Sequence, residues 1–345
     1  MKSLGKFPDS FLEEIAGQPA AIRRAAAGLA GQRDALAEIR RHAAGADAIL
    51  FTGMGSSYDA CYAPVTQLAE QGVRAAMVDS AELLHFRLAQ VTGRTLVVAV
   101  SQSGESAELV RLADSLRARA QPPVLVAITN GAQNTLAEKA TIALDTHAGE
   151  ELGPSTMTFA GALVVLAAIA GDGDRAMDAA DRMDALLERP EDDAAELATW
   201  YGERPVVTLL GRGCARAAAE MGALTLKEAA RLPAESLQAA QFRHGPLELA
   251  GPELAALIFA TEARTRELDL RLAGELASAG SAVLVISDSG EAPDGARGLA
   301  IGPVADGLAP AVAILPAQLL AWRLAAERGR RPGEFTRASK VTRVE

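Results

Sequence analysis

Short apolar runs recur along the chain, each followed by a small-residue turn and a segment with apolar positions three and four apart. The runs predict buried strands at about Ala48–Thr52, Ala75–Val78, Leu96–Val100, Val124–Thr129 and Thr141–Leu144. Helices are expected between them, among them Tyr58–Glu70 and Glu105–Ala118. Such alternation implies a parallel sheet with helices on both faces. A helical region from about Ser10 to His42, with a break at Gly31, precedes this block. A helical stretch from about Met157 to Tyr201, dense in Ala, Asp, Glu and Arg, follows it. The alternation then restarts, with strands at about Val206–Leu210, Ala255–Ala260 and Ala282–Ile286 and a helix at Glu267–Ala279. A last long helix is expected over Pro310–Arg328.

The halves form a weak internal repeat. Ile49-Leu50-Phe51-Thr52-Gly53-Met54-Gly55-Ser56-Ser57 is matched by Val207-Thr208-Leu209-Leu210-Gly211-Arg212-Gly213-Cys214-Ala215. Both read strand, Gly-x-Gly, helix, so two similar α/β domains are expected, each with a phosphate-type turn or its relic. A dinucleotide-binding fingerprint needs a third glycine for close helix–strand packing. That position holds Tyr58 in the first copy and Arg216 in the second, which argues against a nicotinamide site.

The loop after the third apolar run is the most chemical stretch of the chain: Ser101-Gln102-Ser103-Gly104-Glu105-Ser106. It places hydroxyls, an amide and backbone N–H groups at a strand–helix turn, where the helix N-terminus favours an anion. The loop contains no Lys or Arg, so a phosphate here would be held by neutral hydrogen bonds. The same residues would also serve as an ordinary N-cap and Ser-rich turn.

Bulk properties narrow the classes. With 345 residues, 49% of them hydrophobic, the chain is long enough for two domains with large cores. A net charge of −10 argues against a nucleic-acid or anionic-membrane surface. No apolar run approaches the ~20 residues of a membrane span. Lys2 and Lys6 are not followed by an apolar signal region, so a cytoplasmic protein is expected. Cys61 and Cys214 read as reduced, buried thiols. His42, His85, His147 and His244 form no Cys/His cluster of metal-ligand spacing, so no metal is expected.

Taken in order, the motifs resemble a known family. Gly55-Ser56-Ser57-Tyr58, the 101–106 loop, Leu226-Lys227-Glu228, Ala234-Glu235-Ser236, His244-Gly245-Pro246 and the tail Lys340-Val341-Thr342-Arg343-Val344-Glu345 are similar to those of tandem sugar-isomerase (SIS) domains. The match is to the isomerase half of glucosamine-6-phosphate synthase, and Glu14-Ile15-Ala16-Gly17-Gln18-Pro19 resembles that family's opening helix. The resemblance implies two flavodoxin-like, doubly wound parallel-sheet α/β domains in tandem. The expected layout is an N-terminal helical segment at 1–42, a first, phosphate-binding domain at 43–170 and a helical connector at 171–202. A second domain at 203–330 and a tail at 331–345 over the active site complete it.

The resemblance also implies roles. Gly55, Ser56, Ser57, Ser101, Gln102, Ser103 and Ser106 would bind a sugar phosphate, Ser56 through its backbone amide, with Ser155 and Thr156 as further contacts. Glu228 would move a proton between C1 and C2. His244 would open the sugar ring from the partner subunit, which implies a homodimer with composite sites. Lys340 would form a Schiff base with the ketose. The residue types suit aldose–ketose chemistry: a carboxylate of raised pKa as base, an imidazole for ring opening, an amine for a carbonyl. Singly, each has an ordinary reading: a helical glutamate, a loop histidine, a solvated lysine. Their joint occurrence carries the assignment. No organic cofactor or metal is implied.

The chain departs from the family pattern in three ways. No glutaminase part is expected ahead of the isomerase, so the expected direction is loss of ammonia from an amino-sugar phosphate such as glucosamine-6-phosphate, giving fructose-6-phosphate. Thr225 stands where the synthase has a lysine near the reacting carbons. The loop Glu151–Phe159 is one residue shorter than usual, with Met157 and Thr158 where a lysine is common. The alternatives are a fructosamine-phosphate deglycase and a non-catalytic phosphosugar sensor. A sensor needs the phosphate loop but not the acid–base set, and no appended DNA-binding domain fits before Ile49.

Overall fold

The computed structural model describes residues 10–337 and 339–343. The first nine residues of the expected helical segment, Ala338, and Val344-Glu345 of the expected tail lie outside the described residues.

Two five-stranded sheets carry the fold. The first contains β1 (Ala48–Thr52), β2 (Ala75–Met77), β3 (Thr95–Ser101), β4 (Val124–Thr129) and β5 (Ile142–Asp145), in the order β2-β1-β3-β4-β5. The second contains β6 (Val206–Gly211), β7 (Ala234–Gln238), β8 (Leu254–Phe259), β9 (Ala282–Ser287) and β10 (Arg297–Ala300), in the order β10-β9-β8-β6-β7. Read from the opposite edge, the second order repeats the first. The pairings are parallel, for example Leu50 opposite Val97 and Leu209 opposite Leu257. This is the flavodoxin-like doubly wound order, whose ligand crevice lies beyond the C-terminal ends of the strands flanking the order reversal. In the first sheet those strands are β1 and β3, so the Gly-x-Gly turn and the serine loop meet there. In the second they are β6 and β8.

The central strands formed where apolar runs predicted them, because strands covered on both faces carry continuous apolar sequence. β3 is buried along its whole length. The two strands that no apolar run announced, β7 and β10, are sheet edges with polar, half-exposed sequences, AESLQ and RGLA. The expected helix Tyr58–Glu70 is broken at Ala60-Cys61 into Ser56–Asp59 and Tyr62–Glu70. The stretch Met157–Tyr201 is three α-helices, Met157–Ala170, Ala176–Leu186 and Pro190–Tyr201. Gly171 in the left-handed region ends the first, and Pro190 opens the third. The last helix divides into Ala309–Ala313 and Leu315–Glu327. Pro316 there has no N–H to offer Val312.

One contiguous apolar cluster joins the halves, running from Phe11, Ile22, Phe51 and Leu163 to Leu209, Phe259, Leu320 and Trp322. At its centre, Met157–Ala170 is buried on all sides and shows no polar face. Among the described residues, Ala309–Glu327 is long and apolar enough to cross a membrane, but it is buried inside this core. Cys61 and Cys214 are free and buried, and burial pushes both thiols up.

The two Gly-x-Gly turns are built alike. Gly55 and Gly213 both have φ +53°. A Cβ on Gly53 would lie 2.9 Å from the backbone of Ser57 and Tyr58, and one on Gly211 would lie 2.7 Å from the Ala215 carbonyl. In each copy the strand end touches the first turn of the following helix too closely for a side chain. Gly53→Ala and Gly211→Ala are each expected to cost about 1–3 kcal/mol by overpacking. Urea denaturation checks this; a loss below about 0.5 kcal/mol in either would contradict the close approach.

Candidate active site

At the C-terminal ends of β1 and β3 a cavity of about 310 Å³ opens between the two halves and the tail. Its walls hold Gly55, Ser56, Ser57, Gln102, Ser103, Ser106, Ser155, Glu228 and Lys340. The chain thus gathers most of the expected site from five separate segments. Ser101 and Thr156 lie behind that wall. The Ser101 hydroxyl accepts from Gly104 N–H at 3.1 Å, and the Thr156 hydroxyl donates to Glu151 at 3.0 Å. His244 is exposed in the turn after the helix Ala239–Phe242 and is not among the cavity residues.

The serine loop is shaped by its own hydrogen bonds. Gly104 has φ +66°, and a Cβ there would overlap the side chain of Asn134. The Ser103 hydroxyl accepts from Glu105 N–H at 3.1 Å. Glu105 turns outward and accepts from Thr135 N–H (2.8 Å) and the Thr135 hydroxyl (2.9 Å), which hold its carboxyl below the usual range. Ser106 is the N-cap residue of Ala107–Arg117, yet its hydroxyl makes no capping bond. The side chains of Ser57 and Gln102 have no hydrogen-bond partner among the described residues. Free hydroxyl and amide groups around a helix N-terminus form an uncharged anion cradle.

Opposite the serines, the tail and the loop 151–158 are tied together. Lys340 Nζ donates to Glu151 Oε2 at 2.7 Å and to the Gly153 carbonyl at 2.6 Å. Glu151 also accepts from Thr156 N–H (2.8 Å), Thr158 N–H (3.1 Å) and the Thr158 hydroxyl (2.6 Å), and its side chain is fully buried. It sits at the N-terminus of Met157–Ala170, where a negative charge is favoured. Glu14 on the helix Ser10–Ala16 clamps the same loop, accepting from Leu152 N–H at 2.5 Å and Gly153 N–H at 3.1 Å. Burial raises the Glu14 carboxyl, and these bonds partly offset the rise.

Glu228 reaches the cavity from the helix Arg216–Ala230 of the second half. Burial pushes its carboxyl up to about 7; Lys340 opposes the shift and Glu151 adds to it. Among the described residues its carboxyl has no hydrogen-bond or ion-pair partner. A half-buried carboxyl of near-neutral pKa with no fixed partner suits proton transfer. Thr225, one turn earlier, is fully buried, and its hydroxyl donates back to the Met221 carbonyl at 2.9 Å. It contributes nothing to the cavity wall.

Four residues of this neighbourhood escaped sequence reasoning as site residues. Glu151 and Glu14 stood inside quoted motifs without a role. Glu108, in the first turn of Ala107–Arg117, lines the cavity with a buried carboxylate oxygen that has no hydrogen-bond partner among the described residues. Asp59 is pushed up to about 8, first by burial and then by Glu220 and Glu228, against Lys227 and Arg216.

The second switch point is closed. Glu262, in the loop after β8, accepts from Cys214 N–H at 2.6 Å, and its carboxylate lies 2.8 Å from where a Gly213 Cβ would stand. The second turn is the relic the repeat allowed for, its donors taken by the chain's own carboxylate.

Known proteins agree with this architecture. The SIS domain family matches residues 44–170 and again 203–328. The chain is 29% identical over 357 residues to glutamine–fructose-6-phosphate aminotransferase (isomerizing) of Thermococcus kodakarensis. That alignment covers 98% of this chain and 58% of the relative, so the chain spans under two thirds of that protein's length. Among solved structures it resembles the C-terminal domain of glucosamine-fructose-6-phosphate aminotransferase from Francisella tularensis, with TM-score 0.80, 24% identity and coverage of 95% and 98%. It also resembles a protein from Silicibacter pomeroyi described as a putative phosphosugar isomerase, with TM-score 0.77, 26% identity and coverage of 94% and 99%. The chain belongs to the SIS domain family and carries that domain twice.

Proposed function

We propose that the chain is a phosphosugar aldose–ketose isomerase that deaminates an amino-sugar phosphate such as glucosamine-6-phosphate. The observation that carries the reading is the single cavity where an uncharged phosphate cradle, Glu228 and Lys340 meet. The relatives add weight, since the Thermococcus protein's name gives a hexose phosphate and an isomerization.

In this reading Ser57, Gln102, Ser103 and Ser106 hold the phosphate, which sets the open-chain sugar across the cavity. Glu228 takes the proton from C2 and returns it at C1, leaving an imine at C2. Water adds to C2 and the nitrogen departs as ammonia, so fructose-6-phosphate remains. Lys340, held at the cavity wall by Glu151 and the Gly153 carbonyl, supplies the amine that adds to the ketose carbonyl. Ring opening is assigned, on the family resemblance, to His244 of a second subunit; His244 does not line this subunit's own cavity.

Three measurements test this. Incubation with glucosamine-6-phosphate should release ammonia and fructose-6-phosphate, and Glu228→Gln should lower kcat by about 10²–10⁴-fold. Full turnover by that variant would remove its role. Release by neither protein, with thermal stabilisation by the sugar phosphate, would leave a phosphate site serving another substrate.

The second measurement is pH dependence. The base must be ionised, so kcat/KM should rise with pH through about 7. Stability runs the other way. The folded carboxyl holds its proton above the ordinary value of 4.5, so its contribution is complete below that value and is lost as pH rises through about 7. The stability of Glu228→Gln relative to the parent should therefore grow by about 2–3 kcal/mol between pH 5 and pH 8.

The third concerns the dimer. Mixing Glu228→Gln and His244→Gln subunits should restore up to about a quarter of the parent activity, since half of random dimers would hold one intact site. No recovery from subunits shown to exchange would place both residues in one subunit's site or remove His244 from the reaction.

A further inference from the structure

Among the described residues, the acidic side chains below a tenth exposed are Glu14, Glu108, Glu151 and Asp269. All but Glu108 are satisfied from within the chain. Glu14 accepts from the Leu152 and Gly153 N–H groups, and Glu151 accepts from Thr156, Thr158 and Lys340. Asp269 accepts from Arg212 Nε at 2.7 Å. Glu108 differs. Its Oε2 is buried with no hydrogen-bond partner, and no ion pair reaches its carboxylate from the described residues. A buried acceptor left without a donor costs about 1–3 kcal/mol, and more when the group is charged.

Helix chemistry does not account for this carboxylate. Glu108 is the second residue of Ala107–Arg117, where a carboxylate commonly turns back onto the free N–H groups of the first turn. Here the Ala107 N–H donates to the Thr342 carbonyl of the tail at 3.1 Å, and the Val110 N–H to the Ser106 carbonyl at 3.0 Å. Glu108 instead forms part of the cavity wall, next in the chain to the phosphate cradle at Ser106, in a wall it shares with Ser339 and Thr342 of the tail.

We propose that Glu108 is a specificity residue: its carboxylate accepts a hydrogen bond from a substrate hydroxyl near the phosphate, at C4 or C5 of an open-chain hexose phosphate. The inference rests on the phosphate cradle of the reading above and deepens it. The donor comes with the ligand, since the described residues supply none. Phosphate does not qualify, because its oxygens are acceptors and carry charge of the same sign. The C2 nitrogen does not qualify either, because that reading sets it at the far end of the sugar, at Glu228. A hydroxyl has a proton to give and no charge, and those at C4 and C5 are nearest to a phosphate held beside Ser106. A polyhydroxylated chain thus satisfies Glu108. A bare phosphate, or a phosphate on a chain lacking those hydroxyls, leaves the buried acceptor unpaired, and a site built to pair a hydroxyl discriminates against such ligands.

The test is binding, so it does not depend on turnover. Calorimetry compares glucitol 6-phosphate, which is open-chain and has no carbonyl to react, its 4,5-dideoxy analogue, and inorganic phosphate. The parent should bind glucitol 6-phosphate about tenfold more tightly than the dideoxy analogue, the effect of one hydrogen bond to a charged group. In Glu108→Met that ratio should fall to near one, while inorganic phosphate binds no more weakly than to the parent, because a like charge has been removed. Glu108→Gln keeps an acceptor and should retain part of the ratio. Unliganded Glu108→Met should unfold at a temperature no lower than the parent, since the substitution breaks no hydrogen bond. A ratio near one in the parent, or unchanged in Glu108→Met, overturns the inference. Equal weakening of all three ligands, with a lower unfolding temperature, also overturns it, by making Glu108 a support of the loop. Turnover of glucosamine-6-phosphate by a parent whose ratio is near one overturns this inference and leaves the isomerase reading intact. Failure of all three phosphates to bind removes the cradle, and both with it.

Discussion

The candidate site depends on one buried carboxylate, Glu151. Its side chain has no solvent exposure, yet backbone and hydroxyl donors of Thr156 and Thr158 and the Lys340 ammonium surround it. An ionised carboxylate without such partners would cost several kcal/mol in that position. Here it does three things at once. It caps the helix at the centre of the shared core, fixes the shape of the loop 151–158, and draws the tail across the cavity through Lys340. The tail has little apolar surface of its own to bury, so polar contacts locate it: this ion pair, the Gly153 carbonyl, the Arg231 bond to Thr336 and the Ala107 N–H donated to the Thr342 carbonyl. The neighbouring charges also reach Glu228, where Glu151 and Lys340 act in opposite directions on a carboxyl already raised by burial.

The internal repeat shows how one architecture yields one site from two equivalent crevices. Both turns have the same φ at their second glycine and the same close approach at the first. What differs is the loop opposite. After β3 it supplies serines and a glutamine, and Glu105 is turned away to bind Thr135. After β8 it supplies Glu262, which occupies the helix N-terminus as an internal anion. Burial and the nearby Asp306 raise its pKa, while the backbone bonds from Cys214 and Ala215 pull it down. A carboxylate inside the chain satisfies the same donors a phosphate would, without the entropy of capturing a ligand.

The sequence revealed what depended on apolar periodicity and on local turns. Strands with both faces covered are continuous apolar runs, so the central strands were legible, and the two Gly-x-Gly turns exposed the repeat. The edge strands β7 and β10 were not, because a strand covered by little needs little apolar sequence. Nor were interactions between distant segments. Glu14 lies 138 residues from the Leu152 N–H it accepts, and Lys340 lies 189 residues from Glu151. Composition cannot show that a glutamate is buried, or which lysine meets it. The family resemblance supplied Lys340 and Glu228 but left Glu151 unassigned.

Thr225 gains meaning from this network. A lysine at that point of the helix would place a further cation near Glu228 and Lys340. A threonine is instead closed on its own helix by the bond to Met221, and the helix stays packed there. The positive charge acting on Glu228 is left to Lys340 and Lys227, whose attraction for its ionised form does not overcome burial. With a further cation the carboxyl would ionise more readily and be a weaker base. In the proposed reading the threonine fits proton transfer by one carboxyl raised by burial, with Lys227, Arg231 and Arg337 lining a second cavity that Glu228 also lines.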